Sequence, residues 1–203
     1  MTVGVVIPCL NDAEMLRDCL PALRHQTWVP DDVLVVDNGS TDDSAEVARA
    51  LGARVLLEPR RGIWPASATG FDDMTTDLIF RVDADSIPNP DWIERGVAQF
   101  VEDPSLALLV GPGDFYGSKP WANWVGTNLY VGAMRPIWNP YLGHPGPFGS
   151  NLGFRREVWS EIRNKVTKHT ADVHDDIRPH LADAGVSATI RFLGQRGQAS
   201  TAS

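Results

Sequence analysis

Apolar and polar positions alternate between two periods along the first half of the chain. Val3–Pro8 is an apolar, largely β-branched run, the pattern of a strand buried on both faces. Leu16, Leu20 and Leu23 then recur at helical spacing to about Gln26. Ahead of them Asn11 stands as N-cap with Glu14 at N3, a capping-box spacing. Val33–Val36 reads as a second strand ending at Asp37, Gly39 as a turn with Ser40 or Thr41 as the next helix cap, and Ala45–Leu51 as a helix closed by Gly52. The pattern continues with a strand at Arg54–Leu57, a helix at Ile63–Phe71 and a strand at Leu78–Val82. Pro90, in the permissive first turn, opens a helix to about Glu102, and Leu106–Val110 is the fifth strand. Such alternation predicts an α/β fold, a mostly parallel central sheet flanked by helices. In open sheets of that kind ligands gather at the carboxyl ends of the strands, which singles out Pro8–Asn11, Asp37–Thr41 and Asp83–Ser86.

The middle breaks the pattern. Between Phe115 and Phe148 lie Tyr116, Trp121, Trp124, Tyr130, Trp138 and Tyr141, interrupted by glycine and proline. The segment reads either as packed core or as an excursion over the sheet that walls a pocket. Ser150–Phe154 resumes a strand pattern, followed by helices at Arg156–Arg163 and Asp175–Asp183, a last strand at Ala188–Phe192, and a tail from Gly194 to Ser203 expected to fray. No internal repeat or long linker divides the chain. The expectation is one domain over 1–203, with the alternating α/β pattern in the half at 1–112, a second half at 113–193 and a disordered tail at 194–203.

At 203 residues the chain is long enough for a substantial core. With 26 acidic against 18 basic residues it carries a net charge of −8, which disfavours nucleic acid as a partner. An anionic ligand would then need a metal ion or a local basic lining. Cys9 and Cys19 form no disulfide framework and are expected to be reduced core residues. No leader is expected ahead of Val3, and the aliphatic run Leu106–Val110 is too short to span a bilayer. These features predict a cytoplasmic protein without a transmembrane segment, with peripheral membrane contact left open.

Three acidic groups carry candidate chemistry. Asp83 and Asp85 follow an apolar strand at i and i+2, and hard oxygen ligands of this kind suit Mg²⁺ or Mn²⁺ beside a diphosphate, although a pair of acids at a turn is often only solvated. Asp37 either belongs to a capped loop or accepts the imide N–H of a pyrimidine, or a guanine. In His174-Asp175-Asp176 the carboxylates either complement a helix N-terminus or take a proton from an alcohol. His144, His169, His174 and His180 have no zinc-site spacing, and no Walker loop, dinucleotide fingerprint or Gly-x-Ser-x-Gly elbow occurs.

Taken in order, Val5-Val6-Ile7-Pro8-Cys9-Leu10-Asn11, the segment Val35–Asp42, Arg81–Ser86 continuing to Pro90-Asp91-Trp92, and Gly149–Arg156 resemble the motifs of an inverting family-2 glycosyltransferase of the GT-A fold, in the nucleotide-diphospho-sugar transferase superfamily. The resemblance runs from Val3 to about Gly185 and implies a nucleotide-sugar-binding half at 1–112 and an acceptor-side half at 113–193. It implies that Pro8, Asn11 and Asp37 line the nucleoside, with Arg61 near the base or phosphates. It implies too that Asp83 contacts ribose and metal, and that Asp85 holds Mn²⁺ or Mg²⁺ against the diphosphate. Asp175 or Asp176 would be the general base, Asp176 the first choice; the family's Glu-Asp stands here as Asp175-Asp176, and the stretch that follows is shorter and contains a proline.

The implied reaction is transfer of one sugar from a nucleotide-diphospho-sugar, UDP-linked or else GDP-linked, to the hydroxyl of a saccharide, lipid-linked or small-molecule acceptor. Gln195-Arg196-Gly197 lacks the tryptophan of processive synthases, so transfer is expected to be non-processive. The competing expectation is a non-catalytic nucleotide-sugar-binding protein with a degenerate base motif. A nucleotidyltransferase would need a glycine-rich, lysine-bearing loop where Pro8-Cys9-Leu10-Asn11 stands.

Overall fold

The expected strands and helices form nearly where the periodicity places them. In a computed structural model describing residues 1–111, 151–166, 189–193 and 199–201, they are β1 (Val3–Cys9), α1 (Ala13–Arg24), β2 (Asp32–Asp37), α2 (Ser44–Ala50), β3 (Arg54–Leu57), α3 (Ile63–Asp73), β4 (Leu78–Val82), α4 (Trp92–Glu102), β5 (Leu106–Val110), β6 (Asn151–Arg155), α5 (Arg156–Val166), β7 (Thr189–Leu193) and β8 (Ala199–Thr201). The strands form one eight-stranded sheet in the order β3-β2-β1-β4-β6-β5-β7-β8. Strands β1 to β5 and β7 run one way, while β6 and β8 run the other. The mostly parallel α/β sheet is therefore as expected, with β6 wedged antiparallel between β4 and β5.

β1 is apolar throughout because helices cover both of its faces. Val3, Val5, Ile7 and Cys9 pack with α1, α2 and α4, through Leu16, Leu20, Val47, Ile93 and Phe100 among others. Val6 faces the other way, towards Ala66 and Phe71 of α3 and Trp159 and Ile162 of α5. Each buried leucine of α1 removes enough apolar area to contribute roughly 1.5–3 kcal/mol. On the second face Phe71 stacks edge-on against Phe154 and Trp159, with centroids 4.9 and 5.1 Å away. Gly70 lets α3 approach the sheet closely, since a Cβ there would lie 2.4 Å from Val6 Cγ1.

Because α1 and α2 cover one face and α3 crosses back over the other, the winding reverses between β1 and β4. That reversal opens a crevice at the carboxyl ends of these strands, where ligands of such sheets bind. The aromatic segment expected to wall a pocket lies outside the described residues, but its flanks are fixed. Gly111 donates its N–H to the Asn151 carbonyl at 2.9 Å, and Asn151 pairs with Val82. The chain between them thus leaves and rejoins the sheet beside the end of β4.

Local expectations fail where side chains found long-range partners. Asn11 does not cap α1: the helix starts at Ala13 with Asp12 as N-cap, and Asn11 sits at φ 60°. Neither Ser40 nor Thr41 caps α2, whose N-cap is Asp43. Pro90 precedes the N-cap Asp91 instead of occupying the first turn of α4, and its carbonyl accepts Thr27 N–H at 2.8 Å. The tail expected to fray from Gly194 supplies β8, paired antiparallel to β7, so backbone pairing at Ala199–Thr201 outweighs a loop-like composition. The expected helix at Asp175–Asp183 lies outside the described residues. Cys9 and Cys19 are buried and free, as expected.

Candidate functional site

Strand register sets the site. Cys9 pairs with Asp37 and Val6 with Arg81, so Asp37, Pro8–Cys9 and Asp83 lie at nearly one level across the ends of β2, β1 and β4. At about 4.8 Å per strand, Asp37 and Asp83 flank the crevice roughly 10 Å apart. Asp37 is 8% exposed, and its Oδ1 accepts the Ser40 N–H at 2.8 Å. Its Oδ2 meets no donor among the described residues. Pro8 is half-buried between the two acids.

The two loops at β1 and β2 are tied together. Asn11 N–H donates to Ser40 Oγ at 3.0 Å, and Thr41 N–H donates to Asn11 Oδ1 at 2.7 Å. Asp42 accepts from Ala13 N–H at 3.2 Å and from Ser44 N–H at 3.0 Å, so one carboxylate serves the starts of both helices. The Ser44 hydroxyl, with those backbone donors, holds Asp42 below the usual carboxylate range. Asn11 therefore has its side-chain oxygen committed to the neighbouring loop.

Asn38, which sequence reasoning passed over, is the hub of the third loop. Its Nδ2 donates to the carbonyls of Glu58 and Arg60 at 2.9 and 2.7 Å, and its Oδ1 accepts Gly62 N–H at 2.7 Å. Gly62 has φ 130°, which only glycine adopts without strain. Buried Glu58 grips Arg60 through Nε and Nη2, both at 2.9 Å, and also accepts from Thr69. The Arg60 fork, Thr69 and the Arg60 N–H hold Glu58 at about 2. Arg60 is thus committed, while Arg61 is exposed at the loop tip and has no carboxylate partner among the described residues.

Replacing Asn38 with aspartate should remove both donors and set a carboxylate against two carbonyls. The expected cost is about 2–4 kcal/mol in chemical denaturation, on the scale of two buried groups left unpaired. An unchanged denaturation midpoint would remove Asn38 from this role.

At β4, Asp83 Oδ1 accepts from Arg81 Nη2 at 2.6 Å. Arg81 is 8% exposed and Asp83 34%. Burial pulls the Arg81 guanidinium below its usual value, against the opposing pull of Asp83. Asp85 is exposed two residues further on. Behind this turn Cys19 Sγ lies 4.0 Å from the Asp83 carbonyl. Burial, then the charges of Asp85 and Asp83, push its thiol up to about 12, so it stays protonated. Among the described residues no group of three or more acidic, histidine or cysteine side chains could hold a metal. Two carboxylates at a strand end nevertheless fit Mg²⁺ or Mn²⁺, which bind through one or two carboxylates and complete their shells with phosphate and water. Asp175 and Asp176 lie outside the described residues.

A sheet wound in this order, with acids at the ends of β2 and β4, has the GT-A fold. It is similar to the crystal structure of Mycobacterium tuberculosis glucosyl-3-phosphoglycerate synthase in complex with Mn²⁺, uridine diphosphate and glucosyl-3-phosphoglycerate, with a TM-score of 0.59 and 23% identity, covering 79% of this chain and 59% of that one. The same enzyme was also solved with Mg²⁺ and uridine diphosphate. Residues 4–163 match the family model described as Glycosyl transferase family 2, and the chain belongs to that family. An uncharacterized glycosyltransferase of Mycobacterium bovis is 37% identical over 173 residues, 85% of this chain and 63% of that protein. Glycosyltransferase AglE of Haloferax volcanii is 36% identical over 104 residues, 47% of this chain and 34% of that protein. The chain thus spans between a third and two thirds of these relatives' lengths. Among the described residues no helix is long and apolar enough to cross a membrane.

Proposed function

We propose that this chain transfers a sugar from a UDP-sugar to an acceptor hydroxyl, with inversion at the anomeric carbon. The observation that carries this reading is the placement of Asp37 and Asp83 on either side of the β1/β4 crevice, each with one carboxylate oxygen unclaimed by a donor among the described residues. Asp37 Oδ2 accepts the uracil imide N–H, Pro8 packs on the nucleoside, and Arg61 approaches the base or phosphates from its tethered loop. Pyrimidine is favoured over guanine because the loop after β1 is short.

Asp83 would contact the ribose, and Asp83 and Asp85 would hold Mn²⁺ or Mg²⁺, which when bound would supply positive charge against the departing diphosphate. Asp176, with Asp175 beside it, takes the proton of the acceptor hydroxyl as its oxygen bonds to the anomeric carbon. The bond from that carbon to the diphosphate breaks, and its electron pair leaves with UDP. A carboxylate is a weak base beside an alkoxide, so proton transfer is late and concerted with attack. The acceptor is a saccharide, a lipid-linked sugar or a small hydroxylated molecule. Two buried thiols without a disulfide suit a cytoplasmic setting.

Calorimetric titration of UDP and of GDP, each with Mn²⁺ and with EDTA, tests the reading. UDP binding strengthened by Mn²⁺, with weaker GDP binding, is expected. Absence of UDP binding in both conditions would overturn it, and a preference for GDP would reassign the base pocket.

A further inference from the structure

Resting on that reading, we propose that Arg81 makes cation binding at Asp83 and Asp85 conditional on the nucleoside diphosphate, so that metal and donor bind as a unit. Arg81 lies on β4, paired with Val6 on one side and Leu152 on the other, and both neighbours belong to an apolar cluster. A guanidinium enters such surroundings only for a partner. Its partner is Asp83, held by Nη2 on Oδ1 at 2.6 Å, while Arg81 Nε is buried without an acceptor among the described residues.

The half-used fork is informative. A guanidinium that served only to anchor the strand end would engage both carboxylate oxygens and satisfy Nε as well. The single contact instead leaves Asp83 Oδ2 for another ligand. It also places a positive charge directly against the Asp83 carboxylate, two residues from Asp85. Asp83, Asp85 and Arg81 together carry one net negative charge, which is a poor match for a hydrated divalent cation. Repulsion from a buried guanidinium is weakly screened. The diphosphate brings the missing negative charge and the missing oxygen ligands, so the cation gains its full site only when the nucleotide is present. By linkage the cation strengthens nucleotide binding by the same factor.

Electron paramagnetic resonance of free Mn²⁺ reads this directly, in wild type, Arg81→Lys and Arg81→Gln, with and without UDP and against protein-free blanks. Wild type should bind Mn²⁺ weakly alone and at least tenfold more tightly with UDP. Arg81→Lys, which keeps the charge, should behave like wild type. Arg81→Gln should bind Mn²⁺ alone at least tenfold more tightly than wild type and show a smaller effect of UDP. Equal or weaker Mn²⁺ binding by Arg81→Gln would overturn the proposal and leave Arg81 a structural prop. Should Arg81→Gln not fold, wild type decides: a UDP effect of tenfold or more supports the proposal, and a smaller one overturns it. Failure of wild type to bind UDP at all would instead sink the transferase reading and this inference with it.

Discussion

Replacing Asp85 with alanine is expected to abolish the Mn²⁺-dependent part of UDP binding while leaving the metal-independent part intact. Asp85 is exposed on the turn after β4, and Asp83 already shares its charge with Arg81. No cluster of three potential ligands stands in reserve among the described residues. Removing one of two carboxylates should therefore weaken Mn²⁺ in the ternary complex by about 100-fold, the upper end of what losing even an outer-sphere partner costs a metal site. UDP titration with EDTA should give the wild-type affinity, because Asp37 and the Asn38-tethered loop are untouched. Undiminished Mn²⁺ dependence in this variant would move the cation site elsewhere.

Asp176→Asn should have the second large effect, of a different kind. The amide preserves shape and cannot accept the acceptor's proton, so turnover should fall about 1,000-fold, within the range that a positioned acid or base supplies. UDP and Mn²⁺ affinities should stay at the wild-type level, because the proposed donor site lies at the ends of β1, β2 and β4. If Asp175→Asn lost turnover and Asp176→Asn kept it, the base would be Asp175. Donor binding without turnover in wild type and both variants, against any acceptor offered, would instead favour a nucleotide-sugar-binding protein.

The candidate site was only partly legible beforehand. Asp37 and Asp83 could be singled out because each follows an apolar strand, and strand ends are where such sheets bind ligands. Asn38 was invisible despite lying next to Asp37. Its partners, Glu58, Arg60 and Gly62, lie 20 to 24 residues away, and nothing local distinguishes an asparagine that donates twice and accepts once from one that merely turns the chain. Asn11 shows the opposite error. Its spacing to Glu14 satisfies a local capping rule, but the loop after β2 offered Thr41 and Ser40 as partners.

The sequence by itself determined the order and type of the elements from β1 to β5. Periodicity of burial is a property of neighbouring residues and needs no knowledge of where the chain goes next. It also placed three acids at candidate positions by their distance from strand ends. Tertiary structure alone decided which strands adjoin, that β6 enters antiparallel beside β4, and that winding reverses between β1 and β4. It alone joined Asp37 to Asp83 across one crevice and set a half-occupied arginine behind the latter. These facts depend on register and crossover, which arise only when segments far apart in the chain bury their faces against one another.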